Sequence, residues 1–176
     1  MIGGLRFVAL LGSAYAAILP GGTQAQEWVA RHDLSAAAYQ NEFNRLIGQG
    51  FRPKLVSGYT GGGGGPHFAA IWEKRGGPEF VARHGLTSEA YQAEFNRLVS
   101  QGFRLTYASG YDVGGRAHFA AIWEKRGGPE FVARHGLTSG AYQGEFDRLV
   151  SQGFRLTLVN GYGFAGTHRF AAIWEK

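Results

Sequence analysis

Three histidines recur at one position of a repeated sequence and are the first candidates for chemistry. His32, His84 and His135 each follow an Ala-Arg pair and precede a stretch of helical periodicity. Three imidazoles that meet at one point suit a Zn²⁺ ion. The other histidines lie near the predicted hairpin tips: His67, His118 and His168. We favour the alternative that each repeated histidine serves its own loop near the helix start, because equivalent repeat positions usually lie far apart, and we predict no metal site.

Repeated carboxylates are the second candidates. One set lies in the helical stretches and the other follows a tryptophan: Glu42, Glu94 and Glu145, and Glu73, Glu124 and Glu175. General acid and base catalysis needs two carboxyl groups that lie close together in different environments. Each carboxylate here has a basic neighbour instead, such as Arg97, which follows Glu94 by one helical turn. We therefore predict surface ion pairs rather than an acid–base site.

Nucleophile and phosphate motifs are incomplete. Ser57 and Ser109 precede a Gly-Tyr pair, but Asn160 replaces them in the third copy, and no Gly-x-Ser-x-Gly elbow occurs. The glycines at 61–65 lack the Gly-Lys-Ser/Thr that completes a phosphate loop, so they predict a flexible hairpin tip. The absence of cysteine excludes thiol catalysis and cysteine metal sites. We predict no catalytic residue and no cofactor, and hence no enzyme.

Three tryptophans are spaced evenly along the chain. Trp72, Trp123 and Trp174 each begin a Trp-Glu-Lys sequence, and the spacing between neighbours is 51 residues. Such tryptophans can stack on sugars, as in lectins. Each one follows Ala-Ile in a strand-like run, which favours packing in the core or between repeats.

The even spacing reflects three tandem copies of one unit. We place the repeats at residues 26–74, 75–125 and 126–176. The second and third copies align without gaps from residues 80 and 131 and differ at 12 of 46 positions. Repeats of this length are typical of folds in which neighbouring units cover one another's apolar faces.

Within a copy, the residues indicate a helix followed by a β-hairpin. In the second copy Thr87 is the predicted N-cap, Tyr91 begins an apolar helical face, and Gly102 ends the helix in the left-handed conformation. Strands follow at residues 103–109 and 118–125. The predicted fold class is an α+β repeat protein of three helix-plus-β-hairpin units, arranged as a propeller-like ring or an open stack.

The first strand of the first copy contains a proline. Pro53 cannot donate a ladder hydrogen bond, so we expect that strand to be irregular or at a sheet edge. One helix and two strands cannot bury an apolar face alone. The two end units therefore predict self-association, for which two chains closing a six-unit ring is the simplest symmetric solution.

The N-terminus has the pattern of a secretory signal peptide. Within residues 1–25, Arg6 supplies a weak positive charge, residues 7–19 are apolar but short for a membrane span, and Ala25 suits cleavage. An uncleaved anchor helix is the alternative, which an internal glycine and proline weaken. We predict a secreted or periplasmic protein that is not membrane-bound after cleavage.

The charge of the chain argues against a nucleic-acid partner. The net charge is +5, from 18 basic and 13 acidic residues, and the two signs are interspersed. Nucleic-acid-binding proteins concentrate their basic residues on one face. A mildly basic, solvated surface is the better interpretation.

The repeated pattern resembles a known family. It runs Leu-Thr-Ser-x-x-Tyr-Gln-x-x-Phe, Gln-Gly-Phe-Arg-Leu, Gly-Tyr and Phe-Ala-Ala-Ile-Trp, and it resembles the bacterial tandem repeat domain family over residues 28–176. Similar repeats form the non-catalytic N-terminal part of polyglycine hydrolases and related exported serine hydrolases. The resemblance implies a propeller-like ring of helix-plus-hairpin units. It does not imply catalysis, because the chemistry of those enzymes belongs to a separate β-lactamase-like domain with a Ser-x-x-Lys nucleophile. No serine of this chain has lysine three residues later.

Nine of the 12 differences between the second and third copies lie between residues 107 and 118 and their equivalents. A constant frame with variable loops is a common way to present binding residues. The candidate partner-binding residues at the predicted tips are Tyr59, Tyr111, Asp112, Arg116, Tyr162, Phe164 and Arg169. The alternative is that tips face solvent and drift.

These observations predict a non-enzymatic exported repeat module that mediates binding or assembly, with a protein or glycan as the unknown partner. Two other functions stay open. One is an accessory part of a secreted serine hydrolase or peptidase system, and the other is a carbohydrate-binding, lectin-like protein.

Overall fold

The computed structural model describes residues 27–176, so the predicted signal peptide lies outside the described part. Three similar repeats follow one another. The first contains β1 (Trp28–Ser35), α1 (Ala36–Gly48), β2 (Arg52–Thr60) and β3 (Pro66–Glu73). The second contains β4 (Phe80–Thr87), α2 (Ser88–Ser100), β5 (Phe103–Val113) and β6 (Arg116–Lys125). The third contains β7 (Phe131–Leu137), α3 (Ser139–Ser151), β8 (Arg155–Phe164) and β9 (Thr167–Glu175).

Each repeat has three strands, not the two that the sequence predicted. The sheet orders are β1-β3-β2, β4-β6-β5 and β7-β9-β8, and all pairs are antiparallel. The additional strand precedes the helix and pairs with the last strand of its own repeat. A bulge interrupts it, between Arg83 and Leu86 in the second repeat. That irregularity hides the strand from a search for simple alternation.

The predicted helix ends are confirmed. The Thr87 hydroxyl accepts a hydrogen bond from the Ala90 N–H at 3.3 Å, and Ser35 and Thr138 cap the other helices in the same way. Gly102 has a φ of 83°, in the left-handed region where glycine avoids a steric penalty. Local capping thus fixes where each helix begins and ends.

Pro53 lies in β2, an edge strand, as predicted, and the register shifts between Pro53 and Leu55. The same shift separates Leu105 from Tyr107 in the second repeat, where no proline is present. The irregularity is therefore a property of the repeat rather than of the proline.

The core lies between successive sheets. Side chains alternate along the central strand. In β6, Phe119, Ala121 and Trp123 pack with the repeat's own helix and with the next repeat. The intervening Ala120 and Ile122 pack on the preceding repeat. Every sheet therefore has one face for each neighbour, and the middle repeat is covered on both.

Candidate functional site

A tyrosine of each later repeat packs against a glycine of the repeat before it. The Tyr111 ring lies over Gly58, so close that a Cβ on Gly58 would lie 2.2 Å from the ring. Tyr162 covers Gly110 in the same way, with a corresponding distance of 2.4 Å. Each ring also makes an edge contact with a phenylalanine, Phe68 or Phe119, with ring centroids 5.6 Å apart. The Gly-Tyr pair therefore joins neighbouring repeats, which is why both of its residues recur.

This packing corrects the expectation that Tyr111 and Tyr162 are exposed at hairpin tips. Both rings are buried. The Tyr111 hydroxyl accepts a hydrogen bond from the Gly85 N–H at 3.0 Å, and burial raises the pKa of Tyr111 to about 12. Burial also raises the pKa of Tyr162. The rings keep the anchoring role predicted for the Gly-Tyr pair, and little of either side chain stays exposed.

Two of the three repeated histidines, His84 and His135, also join neighbouring repeats, so the interpretation that each serves its own loop is wrong for these two. The His84 ring lies 4.9 Å from the Tyr39 ring and 5.1 Å from the Phe68 ring, both in the first repeat. His135 contacts Tyr91 and Phe119 at 4.8 and 5.1 Å. Burial lowers the pKa of both His84 and His135, because these apolar surroundings disfavour the charged imidazolium.

An arginine side chain lies at the other edge of each contact surface between neighbouring repeats, which we call a junction. Arg52 lies over the Phe80 ring at 4.6 Å and contacts Glu124 at 3.4 Å. Arg104 lies over Phe131 at 4.4 Å and contacts Glu175 at 3.1 Å. In both cases the arginine comes from the earlier repeat. In the second and third repeats, the opening aromatic and the glutamate that follows the tryptophan thus receive an arginine from the preceding repeat.

The residue before Gly-Tyr differs between the second and third repeats, but in both its side chain accepts a hydrogen bond from the preceding repeat. The Ser109 hydroxyl accepts a hydrogen bond from the Gly58 N–H at 3.1 Å. The Asn160 side-chain carbonyl accepts one from Gly110 N–H at 2.7 Å. Part of the variation assigned to the tips therefore lies in the junctions, where serine and asparagine both supply an oxygen acceptor.

Two of the remaining candidates link elements near the tips. The Asp112 carboxylate accepts a hydrogen bond from the Ala165 N–H at 3.1 Å, and its backbone carbonyl accepts one from the Thr60 hydroxyl. Asp112 therefore connects the tips of all three repeats. Tyr59 is half-buried, and its hydroxyl accepts a hydrogen bond from the Asp33 N–H at 3.1 Å.

The other three candidates meet at one cleft between the second and third repeats, with a volume of about 430 Å³. Arg116 lies on one side, and Phe164 and Arg169 lie on the other, with the Arg169 guanidinium 5.3 Å from the Phe164 ring. The wall is completed by Thr87, Ser88, Glu89, Gly115, Ala117, Gly136 and Tyr162. The cleft thus combines two cations, one carboxylate and two aromatic rings, a composition suited to contact surfaces.

Glu89 adds the acidic group of the cleft. It lies in the first turn of α2. The pKa of its carboxyl is lowered chiefly by a hydrogen bond from its own backbone, then by the Thr87 side chain, with a smaller effect of Arg116. Glu89 is therefore ionised at neutral pH, and with two arginines the cleft has a net positive charge.

The other sequence candidates serve structure. All three repeated tryptophans are fully buried, so core packing is confirmed and sugar stacking on them is not possible. The Glu94 carboxylate contacts Arg97 and Arg83 at 2.8 and 3.2 Å, as the predicted ion pairing requires. Within residues 27–176, no three histidines or carboxylates are grouped in a way that could hold a metal ion. In the same part of the chain, every helix is too short or too polar to cross a membrane.

Comparison with protein families identifies the repeated unit. The model of the polyglycine hydrolase-like structural repeat matches residues 25–75, 77–126 and 128–176. The chain belongs to this family. The three matched segments contain the three helix-and-sheet units, so the family's unit corresponds to the strand–helix–hairpin repeat of this chain, and the resemblance seen in the sequence is confirmed.

Proposed function

We propose that this protein is a non-enzymatic, exported repeat module that mediates binding, and that the cleft between the second and third repeats receives the partner. The observation that carries this proposal is the meeting of Arg116, Phe164 and Arg169 at one cleft. All three lie among the positions that vary between repeats, whereas most of the surrounding wall recurs, apart from Glu89 and Ala117. A constant frame that holds variable side chains around a cleft is the arrangement expected of a binding module.

The chemistry of the cleft favours an anionic group on the partner. Two guanidiniums within one cleft can each donate two parallel hydrogen bonds to a carboxylate, sulfate or phosphate. Phe164 supplies a flat apolar surface beside Arg169. The charge of Glu89 interacts with that of Arg116, so Glu89 competes with weakly binding anions for this arginine. A protein or glycan with an acidic group next to an apolar one fits this site.

Binding to immobilised acidic peptides and to acidic glycans tests the proposal. Replacing Arg116 and Arg169 together with serine is expected to abolish binding of the probe that the natural protein retains, and to leave the melting temperature nearly unchanged. The matched control replaces Arg97 and Arg148 with serine, which removes the same charge from the outer helices. Equal loss in both variants, or no acidic probe bound by the natural protein, contradicts a specific cleft.

A second candidate function follows from the family description. Repeats of a polyglycine hydrolase-like type favour an accessory role beside a secreted serine hydrolase. The test measures cleavage of a glycine-rich peptide by such a hydrolase with and without this chain. A rate increase that the Arg116→Ser, Arg169→Ser variant lacks supports the accessory role. Cleavage by this chain alone, lost on replacing one of its residues, contradicts a non-enzymatic module.

A further inference from the structure

The third repeat presents a face that its equivalent in the second repeat keeps buried. Phe170 and Tyr142 are half-buried, although the matching Phe119 and Tyr91 are fully covered by the next repeat. Gly161 is exposed, and a Cβ there would meet only the Phe170 ring, at 3.4 Å. Among the described residues this face, which we call the C-face, therefore lacks the tyrosine, histidine and acceptor that cover its counterparts.

The first repeat presents the complementary half. Trp28 is 64% exposed, although the matching Phe80 and Phe131 are each covered by an arginine. His32 is exposed and Tyr59 half-buried, whereas the later repeats insert the matching side chains between neighbours. Ala69 and Ile71 are also more exposed than their buried equivalents in the later repeats. We call this surface the N-face.

We infer that the N-face of one copy of this protein packs on the C-face of a second copy and reproduces the internal junction between repeats. The two internal junctions form the template, because both have a tyrosine on a glycine, a histidine beside two aromatic rings, an arginine over an aromatic ring and an oxygen acceptor at matching positions. In this contact Tyr59 covers the partner's Gly161, and His32 lies between the partner's Tyr142 and Phe170. The association is separate from the tip cleft and does not depend on the binding function proposed for it.

Polar and charged groups agree with this assignment. Arg155 is exposed at the position of Arg52 and Arg104, so it is placed to cover Trp28 of the second copy and to contact Glu73 there. The Ser57 hydroxyl is placed to accept the Gly161 N–H, as Ser109 accepts that of Gly58. The complementarity therefore includes one cation–aromatic contact, one ion pair and one hydrogen bond, besides the apolar surface.

The C-face departs from the template at His168, which replaces Ala117 of the second repeat, and its ring lies 5.7 Å from Phe170. The side chain is exposed, so other rotamers are open to it when a second copy arrives. Because the contact joins two different faces, it is heterologous. Two copies that pair at both ends form a closed six-repeat ring with two-fold symmetry.

Sedimentation of the purified protein at high micromolar concentration tests the inference. The natural protein is expected to sediment with twice the mass of one chain. Gly161→Leu occupies the C-face where Tyr59 should sit, and Tyr59→Ala removes that ring from the N-face. Each variant alone is expected to associate about 30-fold more weakly or worse. An equal mixture of the two is expected to form a dimer, since each variant keeps the face that the other lacks.

Two controls separate association from folding. Gly127→Leu changes another exposed glycine with no neighbour within 4 Å, and Tyr59→Phe keeps the ring while removing the hydroxyl; both are expected to dimerise as the natural protein does. A natural protein that stays monomeric overturns the inference, and so does undiminished dimerisation of either single variant. A mixture that stays monomeric also overturns it. Binding of acidic probes to the cleft is measured separately and is unaffected by these outcomes.

Discussion

The second and third repeats contain almost the same residues in the helix and the central strand, yet the same side chains have different surroundings. Phe119 is fully buried, and Phe170, its equivalent, is not. Tyr91 and Tyr142 differ in the same way. The neighbouring repeat, not the sequence of the repeat itself, decides whether this face is buried. The free energy of unfolding of such an array is therefore the sum of contributions within each repeat and contributions between neighbouring repeats.

The largest predicted effect belongs to the part that all repeats share. Trp123→Ala and Trp174→Ala are each expected to lower the free energy of unfolding by about 3–5 kcal/mol in urea. The indole N–H of each has no hydrogen-bond partner among the described residues, so the loss is one of packing. A much smaller effect at Trp174 would mean that the within-repeat core also depends on the next repeat.

A pair of glycine variants sharpens the comparison between covered and uncovered faces. Gly110→Ala places a methyl group 2.4 Å from the Tyr162 ring and is expected to cost about 2–3 kcal/mol of stability. Gly161→Ala meets only an ordinary contact with Phe170 and is expected to change stability by less than about 0.5 kcal/mol. Both are measured by urea unfolding at low protein concentration. An equal loss of free energy of unfolding in the two variants would contradict the packing of Tyr162 on Gly110.

The hydrogen bond across the first junction gives a smaller effect. Ser109→Ala leaves the Gly58 N–H without its acceptor in a buried position, which is expected to cost about 1–2 kcal/mol. Ser57→Ala, at the matching place on the N-face, is expected to be near neutral in the dilute protein. Ser109→Asn serves as the conservative control, because asparagine performs this role in the third repeat.

The smallest effect concerns pH. The pKa values of His84 and His135 in the folded protein lie below the ordinary value of about 6.5, so the unfolded chain binds more protons in acid. The contribution of these two histidines to the free energy of unfolding is therefore fully present above about pH 6.5, and it declines as the pH falls toward the folded-state pKa values. Replacing both histidines with phenylalanine is expected to flatten this part of the profile of unfolding midpoint against pH. An unchanged slope would show that other groups cause it.

The elements that depend on local sequence were predictable. Capping by Thr87, the left-handed Gly102 and the alternation around Trp123 are all specified by residues within a few positions. The additional strand was not predicted, because its bulge breaks the alternation and its pairing partner lies far along the repeat. Valine and an aromatic at its start were the only local indications of a strand.

The roles of the junction residues could not be inferred from one repeat. His84, Tyr111 and Ser109 all act on residues of the preceding repeat, so local patterns within one repeat do not reveal their partners. The strict recurrence of Gly-Tyr and of histidine was the available signal, and it indicated structure shared by all copies. Arg116, Phe164 and Arg169 were found by the opposite signal, variation, and the structure places them at one cleft.

The seating of each Gly-Tyr tyrosine on the preceding repeat's glycine has a consequence for how such genes change in length. Every repeat carries both residues of this contact: a tyrosine that can pack on the repeat before it and a glycine that can receive the tyrosine of the repeat after it. Duplication or loss of a whole unit by recombination between the near-identical copies would leave every remaining joint intact. The number of repeats can therefore change in steps of one whole repeat while the protein still folds. An insertion of half a repeat would instead leave a tyrosine without a neighbouring glycine to pack on.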